Sequence, residues 1–157
     1  RDLGDADFGY GLGLDEILDK ARGGEELTQE EIETIAQNSK YAYFYALFVI
    51  DGRWPEAEET IAQGPKYAYY YAKNIIEGRF PEGEETIAQN SEYAYMYARN
   101  VIGGRFLEGE EVILRSIYTN DYLSLLRLKG IELENQLEVN NREQIKKLIE
   151  RDLGSGP

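Results

Sequence analysis

The chain contains neither cysteine nor histidine, and only one tryptophan, one methionine and four prolines among its 157 residues. Without cysteine there is no disulfide to close and no thiolate to attack, so nothing ties the fold to an oxidising compartment. Without histidine the commonest transition-metal ligand is missing, and neither a Ser–His nor a Cys–His relay can be assembled. No apolar run approaches the roughly 18–20 residues of a membrane span, and no leader of basic then apolar residues opens the sequence. These absences point to a soluble, cytoplasmic protein with no membrane contact, no metal and no cofactor. The glycine-rich start brings Asp5, Asp7 and Glu16 to the first, third and twelfth places of a calcium loop. Tyr10 stands where that loop needs its turn glycine, which argues against an ion there.

Acidic residues outnumber basic ones, 30 to 17, for a net charge of −13. The excess is uneven: −8 over residues 1–33, −5 over 34–111 and zero over 112–157. Direct nucleic-acid binding is disfavoured, because phosphate contacts need a basic face. The acidic start, with Asp15, Glu16, Asp19, Glu25, Glu26, Glu30 and Glu31, suits a basic protein surface better. Solubility alone also accounts for it.

What is present in abundance is repetition. TIAQNSKYAYFYALFVIDGRWPEAEE (34–59), TIAQGPKYAYYYAKNIIEGRFPEGEE (60–85) and TIAQNSEYAYMYARNVIGGRFLEGEE (86–111) are one 26-residue unit written three times. A period in this range marks an array of supersecondary units, each unable to bury its apolar face alone. Within a unit, Pro55 or Pro81 opens a short helix, called A here, whose apolar stripe in the first copy is Ala57, Ile61 and Ala62. Asn38-Ser39, Gly64-Pro65 or Asn90-Ser91 breaks it and caps the next helix, B, of about 12 residues. Gly52, Gly78 and Gly104 are expected to close helix B in the left-handed conformation.

The tyrosine–alanine segments of helix B alternate like a strand, with Tyr41, Tyr43 and Tyr45 at every second place. Their alanines, their length and the closing glycine favour a helix. At 100° per residue Tyr41, Ala42, Tyr45, Ala46, Val49 and Ile50 share a broad face, taken as the core face. Tyr43, Tyr69 and Tyr95 fall at its margin, and Phe44, Tyr70 and Met96 beyond it. Arg53, Arg79 and Arg105 recur five residues before Glu58, Glu84 and Glu110, which reads as a ladder of structural ion pairs rather than a grip for an anion.

The phrases GRWPEAE and GRFPEGE, followed by YAYxYAxxVIxGR, resemble a short helical repeat of tailed-bacteriophage proteins. The likeness covers residues 28–111. It implies an all-α repeat fold and a phage-related origin, in a bacterial host cell, and it implies no catalytic residue. Leu107 departs from the pattern, where proline is usual, and so does the last third of the chain.

The expected fold is therefore all-α: a right-handed αα solenoid of short helix pairs in a single domain over 1–157. Residues 1–33 form an N-terminal cap over the apolar Phe44, Leu47 and Phe48, with a helix at Leu14–Arg22 and a capping box at Thr28–Glu31. Residues 34–111 are the three repeats. Residues 112–157 hold degenerate repeats and a C-terminal cap. There, matching Tyr122 to Tyr41 implies a three-residue insertion, a lengthened A helix over about 107–117, and a B helix from near Asp121. A helix follows at 131–137, then a last one from Asn141 whose stripe of Ile145, Leu148 and Ile149 should be buried.

Two functions fit. One is a non-enzymatic protein-binding module using Tyr43, Tyr69, Tyr70, Tyr95 and Met96, residue types favoured at interfaces, together with the acids Asp15, Asp19, Glu25, Glu26 and Glu30. The other is an acidic nucleic-acid mimic that blocks a host defence enzyme. Catalysis by paired carboxylates is disfavoured because the acids recur with the repeat instead of converging once.

Overall fold

A computed structural model of the chain describes residues 12–131, 144–151 and 154, and among these there are helices and no strand. Asp5 and Asp7 of the calcium-like pattern lie outside the described residues, as does most of the helix expected at 131–137. The tyrosine–alanine segments are helical: α3 (Ser39–Tyr45), α5 (Pro65–Tyr71) and α7 (Ser91–Tyr97) contain them. Preceding and intervening A helices are α2 (Gln29–Ala36), α4 (Glu58–Ile61), α6 (Pro81–Ala88) and α8 (Glu110–Leu114). Single 3-10 turns at Pro55–Ala57 and Leu107–Gly109 lead into α4 and α8. At the start stands α1 (Leu14–Arg22), and after α8 comes the fourth B helix, α9 (Thr119–Leu128). The last described helix, α10, covers 144–151.

Like packs on like. α3 lies against α5 and α5 against α7, while α4 lies against α6, and each A helix packs on the B helix that follows it. One isoleucine per A helix, at Ile35, Ile61, Ile87 and Ile113, is completely buried. Each such side chain stabilises the fold by about 1.5–3 kcal/mol through the area it removes from water. The small Ala42, Ala68 and Ala94, all buried, let the helices approach. The approach is tight enough to select glycine at two places. A methyl carbon at Gly83 would sit 2.8 Å from the Phe80 ring and 2.9 Å from the Ala68 methyl, and Gly109 meets Phe106 and Ala94 in the same way. The first repeat has Ala57 at this place, beside Trp54 instead of phenylalanine.

Helix B ends unlike a standard α-helix. Its last turn widens into a π turn at Ala46–Ile50, Ala72–Ile76 and Ala98–Ile102. The Gly52 and Gly78 amides then reach back six residues, to the Ala46 and Ala72 carbonyls at 3.2 Å. The expected left-handed glycines are thus misplaced by one: Asp51 and Glu77, each with φ 57°, and Gly103, with φ 72°, take that conformation. The wide turn consumes a residue before the chain can reverse.

Three polar clusters tie each repeat to the next. Arg53 donates twice to the Glu58 carboxylate, both at 2.8 Å. The Tyr71 hydroxyl, one repeat on, donates to the same carboxylate at 2.7 Å and accepts from the Trp54 amide at 2.7 Å. Arg79, Glu84, Tyr97 and the Phe80 amide repeat this arrangement, as do Arg105, Glu110, Tyr122 and the Phe106 amide. Hydrogen bonds from Arg53 and Arg79 hold the Glu58 and Glu84 carboxyls below the usual carboxylate range. Burial pushes the Tyr71, Tyr97 and Tyr122 phenols well above theirs. One repeat earlier the positions of Arg53 and Glu58 hold Leu27 and Ile32, and the cluster gives way to apolar packing.

The fourth repeat corrects the sequence reading. Tyr122 fills the place of Tyr71 and Tyr97, bonded to Glu110 and the Phe106 amide. The repeat has therefore lost one residue rather than gained three, so α8 stops at Leu114 and α9 starts at Thr119. The expected stripe of α10 also differs: Ile145, Leu148 and Ile149 are exposed by 56, 50 and 53 %.

Candidate protein-binding surface

Helix B is flanked on one side by A helices and on another by its neighbouring B helices, so it buries more of its circumference than one amphipathic stripe predicts. Tyr43 and Tyr69, expected at the margin and offered as contacts for a partner, are in fact buried. Each lies on the flank that meets the next B helix, where its hydroxyl accepts a hydrogen bond from an asparagine 31 residues on. Asn74 Nδ2 reaches Tyr43 at 2.9 Å, and Asn100 Nδ2 reaches Tyr69 at 2.7 Å. Conversely, Tyr41, Tyr45 and Val49 are only half-buried and Ile50 is exposed, so the core face is rotated from the one inferred. Tyr70, Tyr95 and Met96 remain half-exposed.

Tyr70 belongs to a ribbon of aromatic rings. Phe48 stacks on Phe44 with centroids 5.8 Å apart, and Phe44 meets Tyr67 edge-on at 6.0 Å. Tyr67 then contacts Tyr70 at 6.4 Å, and Tyr70 meets Tyr93 edge-on at 6.3 Å. The ribbon thus crosses three successive B helices without a gap in ring contact. Tyr95 and Tyr118 continue the pattern into the fourth repeat, nearly parallel at 5.5 Å. Leu125 there occupies the place of Asn74 and Asn100, and an open groove of about 420 Å³ is lined by Tyr95, Arg99, Tyr118, Ser124, Leu125 and Leu128.

At the other end, α1 lies across α3. The Arg22 guanidinium sits 4.3 Å from the Phe48 ring centroid, and the Tyr41 hydroxyl donates to Asp15 at 2.6 Å. Asp15, Asp19, Glu25, Glu26 and Glu30 are exposed. The structure does not gather them with the aromatic ribbon as a group: only Asp15 and Asp19 border the groove beside Phe44 and Phe48. Glu31 is spent on structure, capping α2 through the Thr28 amide and pairing with Lys20 at 3.0 Å. Glu16 caps α1, accepting from the Gly13 amide at 2.8 Å.

The two sides of the array carry different charge. Across 34–111 the B helices and the residues that close them hold Lys40, Lys66, Lys73 and Arg99 against Asp51, Glu77 and Glu92. The A helices and their leading turns hold nine acids against Arg53, Arg79 and Arg105. Two rows of exposed carboxylates result, Glu30, Glu56, Glu82 and Glu108 in one, Glu33, Glu59, Glu85 and Glu111 in the other, each at the 26-residue period. Sequence reasoning singled out the N-terminal acids and missed these rows, although the period itself displays them.

Among the described residues no helix is long and apolar enough to cross a membrane. Comparison with protein-family models, with curated proteins and with solved structures finds no match for the chain.

Proposed function

We propose that the chain is a non-enzymatic protein-binding module, a right-handed solenoid of short helix pairs closed by capping helices, that engages a protein partner through its B face. The reading rests on the unbroken ring contact from Phe48 to Tyr93. Half-exposed tyrosine, phenylalanine and methionine offer large contact area at small conformational cost, as interface cores require. The ribbon residues facing outward vary between repeats, as Phe44, Tyr70 and Met96, so the surface has a direction and a register that a partner can read. The phage-like repeat motif supports a role on a host or phage protein in the cytoplasm of a bacterial cell.

A second reading, an acidic mimic of nucleic acid, is favoured by the carboxylate rows on the A side. Their density counts against it. With adjacent helices about 8–10 Å apart, two carboxylates per repeat give about one charge per 4–5 Å, against one per ~1.7 Å along duplex DNA. Photoreactive phenylalanine analogues placed at position 96 on the B face and position 82 on the A face separate the readings. In lysate of a candidate host, the module predicts a defined adduct from position 96 that high salt does not abolish. Adducts from position 82 alone, lost with salt and with competing DNA, would replace the first reading with the second.

A further inference from the structure

Among the described residues the array ends with a face left partly uncovered. With one residue fewer before Tyr118, Leu114, Leu123 and Ile131 stand where the third repeat has Ala88, Ala98 and Phe106. Those three are buried, whereas Leu114, Leu123 and Ile131 are buried only in part. On the same repeat Ile117 and Leu128 are exposed by 87 and 85 %.

The chain itself carries a helix in the register of the missing cover. From Trp54 to Tyr67, from Phe80 to Tyr93 and from Ile131 to Gln144 the step is 13 residues. Counted this way, Ile145, Leu148 and Ile149 of α10, themselves left uncovered in the structure, fall on the places of Ala94, Tyr97 and Ala98, which form the buried face of the third B helix. A helix of eight residues is also too short to persist alone in water, where about 12–15 are needed. We propose that 144–151 is the B helix of a fifth repeat and that the C-terminal face of the fourth repeat is its docking surface. Leu148 in the place of Tyr97 brings no hydroxyl, so the docked helix needs no Arg–Glu pair, matching the apolar Leu27 and Ile32 at the opposite end of the array. Lys146, Lys147 and Arg151 stay outside the stripe and face water. Docking closes an end that would otherwise be open to a second copy.

Amide hydrogen exchange on dilute protein, shown to be monomeric by sedimentation, tests this. Docking predicts that amides 146–151 exchange at least ~10-fold more slowly than in a free chain. Leu148→Asp should abolish that protection and accelerate exchange in α9, while Lys147→Asp should leave both unchanged. A second measurement uses the absence of native cysteine. Asn120 and Gln144 take the places of Tyr95 and Tyr118, whose rings are 5.5 Å apart. Asn120→Cys combined with Gln144→Cys should therefore be joined by a short bis-thiol reagent within one chain. Free-chain exchange across 146–151, or equal loss of protection from Lys147→Asp, would overturn the proposal. So would protection and cross-linking that appear only in dimers, which would make a second copy the occupant.

Discussion

The A side and the B side of this array are written with the same period and to opposite ends. On the A side the residues that touch across repeats are the same at each step: Arg53, Arg79 and Arg105 clamp Glu58, Glu84 and Glu110, and a tyrosine from the following repeat closes each cluster. On the B side the outward positions change, from Phe44 to Tyr70 to Met96 and from Leu47 to Lys73 to Arg99. The lesson is that a residue repeated at a buried junction sets spacing, while a residue that varies on a half-exposed face is free to serve recognition.

The largest break in that comparison should come from the A side. Glu84→Ala removes a buried carboxylate that accepts from both the Tyr97 hydroxyl and Arg79. It should cost about 3 kcal/mol in a denaturant titration, whereas Tyr70→Ala, on the ribbon, should cost about 1 kcal/mol. Gly83→Ala should cost about 1–3 kcal/mol by overpacking the Phe80 ring and the Ala68 methyl. Adding Phe80→Trp should recover part of the loss, because the first repeat pairs Trp54 with Ala57 in the same place.

The polar clusters also set the limits of pH. The Glu58 and Glu84 carboxyls are lowered in the folded state, so their stabilisation is complete above the ordinary carboxylate range and fades as pH falls through their folded values. The Tyr71, Tyr97 and Tyr122 phenols are raised, so the folded state holds its full margin below about pH 10. That margin erodes as pH rises beyond it, because the unfolded chain ionises first. Tyrosinate absorbance followed with far-ultraviolet dichroism should show the ionisation of Tyr71, Tyr97 and Tyr122 coinciding with loss of the helix signal. The smallest effect expected is a gain. Glu77→Gly relieves a left-handed glutamate at the place where the third repeat has Gly103, and should add about 0.5 kcal/mol in the same titration.

Much of this architecture was legible in the sequence because it is local and periodic. The 26-residue period, the Ala57–Ile61–Ala62 stripe, the α1 bounds and the Thr28 capping box all depend on neighbours within a turn or two. What escaped was set by distant partners. Tyr43 reads as marginal on a helical wheel and is buried because a second B helix, carrying Asn74, lies beside it. The one-residue loss in the fourth repeat is visible only once Tyr122 is seen on Glu110. The π turns leave no polar signature, so the sequence points to Gly78 as the left-handed residue, where the structure has Glu77. Of the residues offered for binding, Tyr70, Tyr95 and Met96 keep an accessible surface, and the acids are exposed without converging.

The division between the two sides is tested most directly by deleting one oxygen from each, as Tyr97→Phe and Tyr70→Phe, and comparing the unfolding free energies. The Tyr97 hydroxyl bridges Glu84 and the Phe80 amide, so its loss should cost about 1–3 kcal/mol. Loss of the Tyr70 hydroxyl from the half-exposed ribbon should stay within about 0.5 kcal/mol. Equal costs for the two, or a larger cost at Tyr70, would contradict the division between a side that holds the array together and a side left free for the proposed partner.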